Sequence, residues 1–229
     1  DLTNISAYLG TATNVTLNGP ISYGSSSALA LTGVNGGYLK VSSPLTTSGN
    51  ITSVKIGNSE NEPFDVTYKG YVELTGANSY TGGTTLKSGY LLVGNNSALG
   101  SGALTVTGSA DTGAPALAAS ANGVTLANDI NLTVNSGNNT TSDNKLVIGV
   151  PTTSNTTDFA YPLQSLASNN LTLTANITGT NALSYVGSGT LTLSGNNTYT
   201  GATTIKSGTV VANNTVGSAT GSGTPHPTQ

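Results

Sequence analysis

Short apolar or β-branched runs recur along this chain and alternate with Gly, Asn and Ser. They fall at 14–17, 38–41, 66–68, 71–74, 84–86, 90–93 and 103–106, and again at 123–126, 129–134, 146–148, 171–174, 190–193, 203–205 and 209–211. Strands of about 4–6 residues at intervals of about 8–12, separated by turn residues, predict an all-β chain. Helical periodicity is nearly absent. The 30 Gly sit mostly where the chain must turn, because a missing Cβ permits sharp bends.

One segment is repeated almost unchanged. Residues 74–96 read LTGANSYTGGTTLKSGYLLVGNN, and residues 193–214, starting 119 positions later (193 − 74), read LSGNNTYTGATTIKSGTVVANN. A long-range repeat with Gly at corners points to a β-solenoid, in which stacked coils share their backbone hydrogen bonds. The alternative, a β-sandwich, predicts hairpin signals and no such repeat. In the solenoid, Leu86, Leu91, Val93, Leu104 and Val106 point inward, with Ile205 and Val211 as equivalents of two of them. A coil of about 22–25 residues gives roughly nine or ten coils and a rod of about 45 Å. The expected organisation is one solenoid over 1–229, with repeat units at 68–106 and 185–223 and an insertion loop or hairpin at 138–168. A smaller excursion is expected at 59–65.

The first repeat copy, LTGANSYTGGTTLKSGYLLVGNNSALGSGALTV, resembles the passenger-associated repeat of bacterial autotransporters, and the second does so from Gly187 to Asn214. Ala202 stands where the first copy has Gly83, and the second copy diverges after Asn214. The resemblance implies a right-handed parallel β-helix exported to the cell surface, serving as a stalk or adhesive scaffold. No amphipathic barrel segment follows, so on this resemblance the chain is a passenger fragment.

Composition narrows the function. Charged residues are 7% and the net charge is −3; all six basic residues are Lys. With no basic patch to meet phosphates, nucleic acid is excluded as a partner. There is no Cys, so no disulfide or thiolate metal site. No apolar run reaches the roughly 20 residues of a membrane helix. The chain opens at Asp1 without Met or a signal-like stretch, which reads as a mature or trimmed form.

Catalytic chemistry is poorly supplied, and no catalytic residue or cofactor is expected. The one His, His226, lies between Pro225 and Pro227 and reads as a tail residue, so a nucleophile–His site lacks its base. Among nine acids only Glu60, Glu62 and Asp65 cluster. They read first as solvated loop charges, with ligation of Ca²⁺ through oxygen as the weaker alternative. A β-helical polysaccharide-cleaving enzyme would need facing carboxyls, and the absence of Arg weighs against uronate binding. Tyr80, Gly82, Thr84 and Gly89, with Tyr199, Gly201, Thr203 and Gly208, are expected to form the repeat's structural frame. Asn4, Asn14, Asn131, Asn155 and Asn176 head glycosylation sequons.

The function expected is therefore a non-enzymatic extracellular scaffold, an autotransporter-passenger-like surface adhesin or stalk. The alternative is a self-assembling subunit of an extracellular filament or surface layer. Partners are the chain itself, head-to-tail or laterally, or a host-cell, matrix or surface-glycan ligand.

Overall fold

The computed structural model describes residues 7–22, 27–33, 36–57, 70–107, 114–133, 145–150 and 163–222. Among the described residues, nineteen strands stack into three parallel sheets, the architecture of a parallel β-helix. The first sheet holds β1 (Ala7–Thr11), β3 (Ser27–Gly33), β5 (Ile51–Ile56), β7 (Thr84–Leu86), β9 (Leu104–Val106), β12 (Ile130–Leu132) and β15 (Ile177–Gly179). The second holds β2 (Asn14–Leu17), β4 (Tyr38–Val41), β6 (Tyr71–Leu74), β8 (Tyr90–Val93), β10 (Ala116–Ala119), β13 (Lys145–Ile148), β16 (Ala182–Tyr185) and β18 (Thr203–Ile205). The third begins halfway along, with β11 (Val124–Leu126), β14 (Leu171–Leu173), β17 (Thr190–Leu193) and β19 (Thr209–Ala212). In earlier rungs that third face is closed by irregular segments, one of which carries a 3-10 turn at Thr47–Gly49.

The eight strands of the second sheet count eight rungs among the described residues, fewer than the nine or ten expected from sequence. The tightest rungs take about 20 residues: Thr190 lies one rung above Asn170, 20 positions away. Within the stretch 138–168, Lys145–Ile148 is itself a rung strand, paired with β10 on one side and β16 on the other. The flanking 134–144 and 151–162, and the small excursion at 59–65, lie outside the described residues.

Alternation sets what fills the rod. Leu39, Val41, Val72, Leu74, Leu91, Val93, Leu117 and Ile148 point inward from the second sheet and meet Leu29, Leu31, Leu86, Leu104 and Leu132 of the first. Sheets buried by stacking tolerate short strands, since each pairs above and below. Val211 departs from the sequence expectation. It shares a column with Thr125, Thr172 and Thr192 on the outward side of the third sheet, because position 211 matches Leu92, an outward residue, and not Leu91. The corners are tied by ladders of Asp and Asn side-chain oxygens. Asp129 Oδ1 accepts from Asn176 N at 3.0 Å, and Asn176 Oδ1 from Asn196 N at 2.9 Å.

Candidate functional site

Two places concentrate polar chemistry: the repeat corners and the outward face of the second sheet. The corners are built first by sequence. In copy one, Asn78 is buried on the third face of rung three. Its Oδ1 accepts from Leu45 N of the rung below (2.8 Å), and its Nδ2 donates to Ala98 O of the rung above (2.5 Å). Tyr80 is fully buried, and its hydroxyl lies 2.6 Å from Thr84 Oγ1. Copy two repeats this: Asn197 Oδ1 accepts from Ile177 N (2.7 Å), Asn197 Nδ2 donates to Ala219 O, and Tyr199 OH lies 2.6 Å from Thr203 Oγ1. Burial lifts both phenols above the ordinary tyrosine range, opposed by the threonine hydrogen bonds.

The glycines of the motif have separate jobs. A Cβ on Gly82 would stand 2.7 Å from Thr52 O, and one on Gly201 2.3 Å from Asn181 C, so these sites allow close rung approach. Gly89 and Gly208 turn the corner with φ of 75° and 79°, a region that L-residues with a Cβ seldom enter. Gly83 also has positive φ, 82°, whereas its counterpart Ala202 does not. The substitution thus coincides with a local change of backbone.

The second copy continues past the point where its sequence diverges. Ser218, Ala219, Gly221 and Ser222 take the places of Ser97, Ala98, Gly100 and Ser101. Asn78 N donates to Ser97 O (3.1 Å) as Asn197 N does to Ser218 O (2.6 Å), and Ser101 N donates to Tyr80 O (3.1 Å) as Ser222 N does to Tyr199 O (2.9 Å). Two extra residues after Asn214 hide the match from an ungapped comparison.

The copies do not sit on the same corner. Copy one runs from the third face to first-sheet β7 and second-sheet β8. Copy two runs from the first face, where Thr198 N donates to Ile177 O (2.9 Å), to second-sheet β18 and third-sheet β19. The motif has advanced by one face of the rod.

A model of the passenger-associated-transport-repeat matches residues 67–93 and 183–212. The chain carries two passenger-associated transport repeats. The two matches are consistent with an autotransporter passenger region, and in the corner geometry each repeat clamps three successive rungs. No curated protein and no solved structure matches the chain.

Outward from the second sheet lies a site that sequence reasoning missed. Parallel register places Tyr38, Tyr71 and Tyr90 in one column, and Lys40, Glu73, Leu92 and Ala118 in the next. Glu73 is almost fully buried. Tyr38 OH donates to Glu73 Oε2, and Lys40 Nζ lies 3.3 Å from the same oxygen. Tyr71 and Tyr90 stack with ring centres 4.9 Å apart. A second apolar cluster, including Leu92, Ala118, Val150 and Ala167, completes the surroundings. The usable signal was the alignment of three tetrads, YLKV, YVEL and YLLV. It becomes informative only once those strands are known to be neighbours.

Burial raises the Glu73 carboxyl above its ordinary range. The folded state then binds a proton more readily than the unfolded chain. Stability from this group is complete below the unfolded value and falls as pH rises through the raised folded one. Mild acidification from neutral pH is therefore expected to raise the urea midpoint of the wild type, and Glu73→Gln to abolish that slope. A wild-type midpoint that falls between neutral pH and the ordinary carboxyl range would contradict the assignment.

The described acids are Glu73 and Asp129. Glu73 faces out of the second sheet; Asp129 is exposed at the corner leading into β12. A facing carboxylate pair is thus absent among the described residues, as is any group of three metal-ligating side chains. No described helix is long and apolar enough to cross a membrane. Glu60, Glu62, Asp65, His226, Asn4 and Asn155 lie outside the described residues. Asn14 and Asn176 are exposed. Asn131 is half-buried, with its Oδ1 accepting from Thr178 Oγ1 at 3.0 Å.

Proposed function

We propose that this chain is a non-enzymatic extracellular scaffold, a passenger-type β-helix that carries surface excursions outward from a rigid rod. The observation that supports it most is the pair of passenger repeats, each using a buried Asn and Tyr to lock three rungs together. The geometry that the two copies share stiffens the rod through buried contacts. The polar surface, with charged residues at 7%, suits exposure to solvent outside the cell. The polar stretches 134–144 and 151–162 flank β13 in the chain. Adhesion to a host-cell, matrix or glycan ligand would use them.

The test is surface display. The chain is placed between a signal peptide and an outer-membrane translocator barrel, and whole cells are treated with protease. A protease-resistant core exposed on the cell surface is the expected result. Retention inside the cell, or release of reducing ends when the purified chain meets a panel of polysaccharides, would overturn the scaffold reading.

A further inference from the structure

The third sheet starts part-way along the rod, and a cavity lies where it starts. β11 is its first strand, while one rung below the chain turns at Gly94–Gly100 without a strand. Among the described residues, no strand pairs with the lower edge of β11. A side chain takes that place: Asn96 Oδ1 accepts from Thr125 N at 2.9 Å. The turn and the strand above it do not close on each other. They leave a cavity of about 280 Å³ lined by Gly94, Asn95, Asn96, Ala121, Asn122 and Gly123. Gly123 keeps it open, since a Cβ there would meet nothing within 4 Å.

The lining is mostly polar and carries no charge. Its three carboxamides are oriented alike. Asn95 Oδ1 accepts from Ser97 N (2.8 Å), Asn96 Oδ1 from Thr125 N, and Asn122 Oδ1 from Asn170 N (2.9 Å). A backbone N–H on each oxygen fixes which end of the amide is which. The three Nδ2 groups donate to no described residue. The carbonyls of Gly94, Ala121 and Asn122 accept from no described backbone N–H. The corner is also held firmly from above. Gly123 N donates to Asn170 O (3.0 Å), and Asn170 Oδ1 accepts from Thr190 N (2.8 Å).

We propose that this cavity binds one uncharged hexose unit of a glycan. This rests on the scaffold reading and gives its ligand a place on the rod. Amide Nδ2 groups only donate and carbonyls only accept, whereas a sugar hydroxyl does both and can satisfy the two kinds together. Other ligand classes fit less well. A cation would find the three side-chain oxygens already engaged and no carboxylate. An anion would find no Lys in the lining to offset its desolvation. The volume is at the low end of the about 300–1,000 Å³ of small-molecule sites, which is room for one ring. Asn96 and Asn122 are exposed, so a glycan chain can reach the cavity from the side of the rod. Donors fixed in place before binding lower the ordering cost.

The experiment titrates the ¹⁵N-labelled 229-residue chain with the methyl glycosides of glucose, galactose, mannose and N-acetylglucosamine, and with glucuronate. Nuclear magnetic resonance reads the side-chain amides of Asn95, Asn96 and Asn122 and the backbone of Gly123. At least one neutral sugar is expected to give saturable shifts confined to these residues, with a Kd of about 1–10 mM. Asn122→Asp keeps the oxygen for Asn170 N but replaces the Nδ2 donor with a charged acceptor. It should retain the wild-type thermal midpoint and weaken binding at least about tenfold. Asn95→Asp, which keeps its bond to Ser97 N, should do the same. No saturable shift at these residues with any neutral sugar overturns the proposal. So does binding that both variants leave unchanged, or glucuronate that binds as tightly as the neutral sugars. Absent shifts would leave the surface-display result, and with it the scaffold reading, standing. Cleavage of a bound sugar chain would remove the scaffold reading and leave the site.

Discussion

Asn78→Ala is expected to destabilise the rod by about 2–5 kcal/mol, out of proportion to the few atoms removed. The side chain is buried and bonds both ways along the axis, to Leu45 N at 2.8 Å and Ala98 O at 2.5 Å. Truncation leaves the Leu45 N–H without its partner and the Ala98 carbonyl with only a long contact from Tyr80 OH at 3.5 Å, and each orphaned buried group costs about 1–3 kcal/mol. Asn78→Asp separates the two halves of the clamp. Aspartate keeps the acceptor for Leu45 N but turns a negative oxygen toward the Ala98 carbonyl. It should be worse at neutral pH than in acid, where its protonated form can donate again. Asn197→Ala should repeat the effect at the second corner. Urea unfolding read by circular dichroism checks all three. An Asn78→Ala midpoint indistinguishable from wild type would mean that the clamp contributes nothing.

A second large effect divides equivalent positions. Leu86→Ala empties a fully buried site and is expected to cost about 2–5 kcal/mol, the range for large-to-small changes in a packed core. Ile205→Ala, at the matching position of the other copy, should cost under about 1 kcal/mol in monomeric rods, because the 40% exposed side chain has less burial to lose. Solenoid rungs can open separately. Native-state hydrogen exchange is therefore the better measurement. Leu86→Ala should lose protection in β7 and its neighbours β5 and β9. Equal losses for the two variants would contradict the assigned burial.

Some strands escaped the sequence for a definable reason. β3 (SALALTG) and β10 (ALAA) carry repeated Ala, which has little strand preference of its own. They become strands because neighbours above and below supply the hydrogen bonds. The repeat, by contrast, was legible. Tyr, Asn and Gly at fixed spacing meet local demands: a corner, a close approach between rungs, and a hydroxyl four residues from its phenol.

Local chemistry is what a sequence writes directly. From it came the all-β class, the stacked architecture, the passenger repeats and the inward face of most strands. Three things depended on which rungs lie next to one another, and so on the tertiary structure. One is the Tyr38–Lys40–Glu73 cluster, in which Tyr38 and Glu73 are 35 positions apart in the chain. Another is the recovery of the second copy at Ser218–Ser222, where hydrogen bonds show an equivalence that two inserted residues conceal. The last is the placement of the two copies on different corners. Rung length varies with every excursion, and the total length between copies sets the face on which the motif lands. No residue of the motif encodes that count; only closing each coil against the one below it does.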